Sequence, residues 1–241
     1  MAVAILLGSI LNGVRAQEAE IESSAPEAIA VEADFVWGSK YLFRGYKYTD
    51  DVTMFPAVSA EYMGLSLNYW GAIDVSGDSD FQEGDYYIDY TFSPMDLLEI
   101  SAGYIYYDLP TADAGDTATQ EFYLGATLDT LLSPSITGYY DFDEIDGGYI
   151  ALGIGHDLEY GSYIGQEDLS ISLSASLGID FDYTSDGTGF NDILLGAELP
   201  FALNEYATIR GIAQYSIALS ELDDAGGDDE FFFGGGINLA Y

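Results

Sequence analysis

From Val31 onward, apolar and polar residues alternate along the chain with a period of two. The segment 169–184 shows it best. Leu169, Ile171, Leu173, Ala175, Leu177, Ile179, Phe181 and Tyr183 share one parity, and Ser170, Ser172, Ser174, Ser176, Gly178, Asp180, Asp182 and Thr184 share the other. A strand sends successive side chains to opposite faces, so this segment reads as a strand with one apolar and one polar face. A helix would scatter the serines around its whole circumference. The same rhythm predicts twelve strands, over 31–44, 56–62, 65–73, 86–92, 97–108, 120–129, 135–142, 148–157, 169–184, 192–202, 206–219 and 231–241.

The connections between these strands alternate in length. Short turns fall at 63–64, 93–96, 131–134 and 204–205. Longer acidic loops fall near 46–55, 74–85, 110–119, 143–148, 185–191 and 221–230. The stretch 158–168 is long where a short turn is expected, and strand structure there would change the count by two. Even-numbered, up-and-down antiparallel strands with alternating short turns and long loops are the layout of a bacterial outer-membrane barrel. Such a barrel must close, because no backbone edge can face hydrocarbon. The expected fold is therefore all-β: a transmembrane antiparallel barrel of about twelve strands over 29–241. Residues 1–16 read as the end of a secretory signal without a basic start, and 17–28 as a polar acidic linker.

Composition narrows the function. Asp and Glu number 42 against 5 Lys and Arg, for a formal net charge of −37. Nucleic-acid binding needs basic residues to neutralise phosphates, so it is set aside. The chain has no Cys, which removes disulfide scaffolds and thiolate sites. Aromatic content of 15% argues against acidic disorder. The 21 tyrosines have a physical use at a membrane interface, where an apolar ring with a polar tip is favoured.

Charge then selects candidate residues. The inner parity carries Glu32, Asp34, Glu61, Asp89, Glu99, Glu121, Asp129, Asp180, Asp182 and Glu198. Rings of carboxylates in a narrow lumen favour cations. Lys40 and Arg44 fall on the inner parity of the first predicted strand and Arg210 on that of the eleventh. The three are expected to form one basic strip facing acids across a constriction, or a salt-bridge network that fills the barrel. Asp223, Asp224, Asp228 and Asp229 crowd the last loop, where weak binding of divalent cations is expected.

Two endings of the chain carry resemblances. Phe231, Phe233, Ile237, Leu239 and Tyr241 alternate to a terminal aromatic, which resembles the C-terminal signal read by the outer-membrane barrel-assembly machinery. The opening Asp34-Phe-Val-Trp-Gly-Ser-Lys-Tyr-Leu-Phe-Arg-Gly-Tyr, followed by Thr49-Asp50-Asp51 and Pro56-Ala57-Val58, resembles the start of the TorF family of outer-membrane channels. The resemblance covers the first strand and its loop. It implies a channel-like barrel in contact with outer-membrane lipid and names no substrate.

No catalytic set is read. His156, the one histidine, lies in Gly155-His156-Asp157-Leu158, which does not resemble the His and Ser motifs of the outer-membrane phospholipases. The acidic stretch 141–148 fails the calcium-loop pattern because Ile145 and Leu152 occupy ligand positions. Glycines at 153, 155 and 234–236 lie within strands, so they are not phosphate loops, and no cofactor is implied. The leading expectation is passive diffusion of small solutes, favouring cations. The alternatives are a non-conducting structural or ion-binding surface barrel and a soluble secreted β protein that binds carbohydrate.

Overall fold

The computed structural model describes residues 28–76, 82–110, 118–161 and 169–241. The predicted leader and nearly all of the acidic linker lie outside them, as do Asp78, Asp80 and most of the long 158–168 connection.

Twelve antiparallel strands close a barrel. In chain order these are β1 (Ala30–Gly38), β4 (Thr53–Tyr62), β5 (Leu65–Asp74), β6 (Gln82–Met95), β7 (Leu98–Asp108) and β8 (Ala118–Leu128). They continue as β9 (Ser135–Asp141), β10 (Gly148–Glu159), β11 (Ser170–Phe181), β12 (Thr188–Asn204), β13 (Ala207–Ala218) and β14 (Glu230–Ala240). Two further strands, β2 (Tyr41–Phe43) and β3 (Tyr46–Thr49), form a separate hairpin between β1 and β4. A five-residue helix, α1 (Ser220–Asp224), caps the last long loop.

Closure is made by β1, which pairs with β4 on one side and β14 on the other. Glu32 faces Ala240 and Gly38 faces Gly234 across the β1–β14 seam. Every barrel strand therefore has two hydrogen-bonded neighbours, as a hydrocarbon environment demands. The seam is tight at its outer end. The Phe232 ring lies directly against the Cα of Gly38, where any side chain would collide with it and with Phe55. Glycine is needed there for close approach.

The parities separate as the alternation predicts. Phe35, Trp37, Leu67, Ile88, Phe122, Leu124, Ile154, Leu195 and Phe233 are exposed on the outside. Asp34, Val36, Trp70, Asp85, Glu121, Asp180, Glu198, Arg210, Gln214 and Phe232 are buried on the inside. A water-soluble surface does not expose an apolar band of this extent, whereas a lipid-facing one requires it. His156, with the outer parity of β10, stands away from the lumen.

The structure corrects the sequence reading of several strand and loop boundaries. The first predicted strand, 31–44, stops at Gly38, and the chain then leaves the sheet. The predicted loop 74–85 is shorter than expected, because β6 starts at Gln82 and carries Glu83 and Asp85 inward. Asp182 lies beyond the end of β11 at φ 56°, exposed in a loop rather than on the lumen wall.

A charge on the lipid face tests this orientation. Leu124, 62% exposed at the middle of β8, should be lipid-facing. Leu124→Arg is expected to destabilise the barrel in lipid vesicles by about 2–4 kcal/mol, read by denaturant unfolding with a heat-modifiable gel shift. A change within about 0.5 kcal/mol would place that face against water instead.

Candidate functional site

The lumen has two unlike halves. Toward the short turns its wall is polar and half-exposed: Ser66 and Asn68 on β5, Asp89 on β6, Glu99 and Ser101 on β7, and Ser172, Ser174 and Ser176 on β11. Toward the long loops it is filled. The filler is the β2–β3 hairpin, which turns inward after Gly38.

The hairpin folds inward because its residues cannot all be satisfied in a two-faced strand. Tyr41, Leu42 and Phe43 are three consecutive large apolar residues, and inside the lumen both faces of β2 are covered. Tyr41 packs on Trp70 (ring centroids 5.6 Å apart) and on Phe55 (5.7 Å). Phe55 stacks on Trp70 at 5.6 Å and meets Phe232 at 6.3 Å. These rings form the apolar core of the barrel, joined by Val36, Ala72, Ile105 and Tyr107.

The turn between β2 and β3 is Arg44-Gly45, and both residues have positive φ (49° and 80°). The type I′ two-residue hairpin turn needs this conformation at both central positions, and glycine adopts it freely while arginine does not. Gly45 is also confined by Leu222, Asp192 and Ser216, with no room for a side chain. The turn is secured by its contacts: Asn191 donates its side-chain amide to the Arg44 carbonyl at 2.7 Å.

Arg44 therefore leaves β1, where sequence placed it, and reaches across the lumen to β8. Its Nη2 donates to both Glu121 oxygens, at 2.9 and 2.8 Å. Tyr107 donates its hydroxyl to the same carboxylate at 3.0 Å. The guanidinium carbon sits 4.7 Å from the centroids of Tyr139 and Tyr149, 4.0 Å from Tyr183 and 4.9 Å from Phe43. Both partners are buried, so the pair survives only because each charge meets the other and several polarisable rings.

The basic residues do not form one strip. Arg210 stays on β13, where it pairs with Asp34 of β1 and lies 3.5 Å from Glu198 of β12. Lys40 lies just beyond β1 and bonds Glu230 at 2.6 Å and Asp50 at 3.2 Å. Lys47 of β3 meets the same two acids at 2.7 and 2.9 Å. Two lysines and two carboxylates thus bracket the hairpin to the mouth of the barrel. Lys47, then Lys40, hold the Asp50 carboxyl below its ordinary value of 3.8.

Other predicted residues have plainer surroundings. Asp180 is fully buried and accepts backbone N–H bonds from Tyr183 and Thr184, which folds the loop that carries Tyr183 against Arg44. Asp89 accepts hydroxyls from Tyr123 at 2.6 Å and Thr91 at 3.0 Å. Glu61 and Glu32 lie on the inner parity toward the short-turn end. Asp129 follows the end of β8, beyond the barrel wall, and is exposed. Asp223, Asp224, Asp228 and Asp229 are exposed around α1, and among the described residues no group of three or more ligating side chains is placed to hold a metal ion. Phe231, Phe233, Ile237 and Leu239 share the outer parity of β14, and Tyr241 follows it, exposed.

Sequence reasoning missed Tyr107, Tyr139, Tyr149, Asn191 and Asp192. Three tyrosines on inner parities of neighbouring strands, level with Glu121, were a usable signal. So was the run Tyr41-Leu42-Phe43, which breaks the alternation just before Arg44-Gly45.

No family model and no curated protein matches this chain in sequence. Solved structures align with most of its length, one of them closely enough to share its fold. A NanC porin structure aligns over 88% of this chain and 99% of its own, with a TM-score of 0.54 and 12% identity. An outer-membrane channel from Pseudomonas putida F1 aligns over 92% and 100%, at 0.48 and 10% identity. OprD from Pseudomonas aeruginosa aligns over 91% of this chain and 66% of its own, at 0.40 and 16% identity.

Two measurements test the electrostatics of the hairpin. Glu121→Gln strands a buried guanidinium and should destabilise the barrel by about 3–5 kcal/mol in denaturant unfolding; a loss under about 1 kcal/mol would mean that Arg44 reaches water. Because the folded-state carboxyl of Asp50 is depressed, its contribution to stability is complete above pH 3.8 and is lost as pH falls through the lower folded value. An NMR titration should therefore give Asp50 a midpoint below 3.8, and a midpoint at or above it would contradict the bracket.

The closed twelve-stranded barrel, its exposed apolar band and the porin-like fold together identify an outer-membrane β-barrel.

Proposed function

We propose that the chain is a passive diffusion channel for small solutes that favours cations and is narrowed in its outer half by the β2–β3 hairpin. The observation that carries the reading is the charge imbalance inside. Each lumen base is held by at least one carboxylate: Arg44 by Glu121, Arg210 by Asp34 and Glu198, Lys40 and Lys47 by Glu230 and Asp50. Asp89, Asp141 and Asp180, by contrast, are bonded by hydroxyl and backbone N–H donors, which orient a carboxylate without neutralising it. Inside a narrow barrel such charges are screened less than loop charges, for which the Debye length is about 8 Å at physiological salt. They attract cations and repel anions.

The porin fold and the TorF-like opening both support a channel, and the half-exposed polar wall beyond the hairpin gives solutes a hydrated path on the side of the short turns. One observation favours a second reading, a closed barrel. Tyr41 and Leu42 are essentially fully buried, so the hairpin packs as a core does. A soluble carbohydrate-binding protein has no comparable support, because the apolar residues face outward.

Planar-bilayer recording under a KCl gradient separates these readings. A channel should give discrete steps with a cation-favouring reversal potential that shrinks at high salt, and Asp89→Asn should shift it toward zero. Anion preference would overturn the charge argument. A folded, heat-modifiable barrel that never conducts would establish the closed reading.

A further inference from the structure

We infer that the pocket around the Arg44 guanidinium is a binding site for flat or quaternary organic cations of the guanidinium and alkylammonium class, and that Arg44 fills it in cis. Apart from Phe43 of the hairpin itself, 4.9 Å from the guanidinium carbon, the wall of the pocket belongs to the barrel and its loops. Glu121 comes from β8, Tyr139 from β9 and Tyr149 from β10, and Tyr183 from the loop folded by Asp180. Three ring faces at 4.0–4.7 Å and one carboxylate make up a cation cage, the chemistry by which proteins recognise such groups.

The way Arg44 occupies the cage shows that the pocket reads charge and shape more than the arginine fork. Only Nη2 donates to Glu121, while Nε and Nη1, both buried, have no hydrogen-bond acceptor. The guanidinium as a whole is surrounded by rings, with four centroids within 4.9 Å of its carbon. A site built for arginine as such would supply acceptors to the whole fork. A quaternary cation would lose nothing by lacking them, and a small untethered guanidinium is free to turn its own donors toward Glu121. The tether is also held at a backbone cost, because Arg44 is a non-glycine residue at φ 49° in the turn.

Arg44 is covalently attached, so it competes at a high effective concentration and keeps free cations out of the intact protein. Its removal should expose the pocket. Arg44→Asn is the informative change, because Asn-Gly is the favoured sequence for this turn and the hairpin keeps its shape. A solute carrying such a cationic group would compete with Arg44 for the same wall. In that respect the inference deepens the channel reading and rests on it, although binding itself needs no conduction.

The test uses the full barrel in detergent, with methylguanidinium chloride as probe and NaCl at equal ionic strength as control. Binding is read by isothermal calorimetry and by tyrosine resonances. Arg44→Asn should bind methylguanidinium saturably and at least about tenfold more tightly than the unmodified protein, and Arg44→Asn/Glu121→Gln should lose the gain. An Arg44→Asn barrel that keeps its heat-modifiable shift but responds to methylguanidinium only as to NaCl would overturn the inference. If Arg44→Asn does not fold unaided, its refolding yield should rise with methylguanidinium over NaCl, and equal yields would overturn the inference equally. Because these readouts need no current, a non-conducting barrel that binds refutes only the channel reading, and a conducting barrel that does not bind refutes only the cage.

Discussion

Everything in this molecule follows from the requirement that no backbone N–H or C=O be left open to hydrocarbon. The β1–β14 seam meets that requirement by joining the two ends of the sheet. Once the sheet is closed, the alternation of side chains sorts the chain into an apolar exterior and a polar interior without further instruction. Closure also creates the second problem, an interior space lined by acids. The hairpin after Gly38 answers it in the outer half with an apolar plug, and the inner half stays polar.

The plug brings its own electrostatic condition. A guanidinium carried into the lumen must be met there, and Glu121 with three tyrosines meets it across the full width of the barrel. The outer bracket of Lys40, Lys47, Asp50 and Glu230 is a different kind of contact, nearer to water and more sensitive to salt. The hairpin is thus held at its tip by a desolvated pair and at its base by a screened one.

The barrel was legible because period-two patterning is a local signal: each of the twelve barrel strands overlaps a span that the alternation predicts, with ends that differ, and residues such as Glu121, Glu198 and Arg210 point to the predicted face. The hairpin was not legible from the same signal. Tyr41, Phe43 and Arg44 fit the parity bookkeeping of a longer first strand, and only tertiary burial on both faces of β2 distinguishes a strand that continues from one that leaves the sheet. Asp182 failed for a related reason, since its positive φ follows the end of β11 at Phe181, short of the predicted end at 184. The cage tyrosines were hidden because their strands are separated in sequence and meet Arg44 only through the fold.

The account stands on the hairpin lying inside the barrel, and proton NMR of the labelled protein in detergent reads that directly. The rings of Tyr41 and Trp70, with centroids 5.6 Å apart, should give strong cross-relaxation peaks, with further peaks from Tyr41 to Phe55. Narrow, random-coil resonances for Tyr41, Leu42 and Phe43 without any contact to Trp70 would place the hairpin outside the lumen and remove the basis for both the constriction and the cation cage.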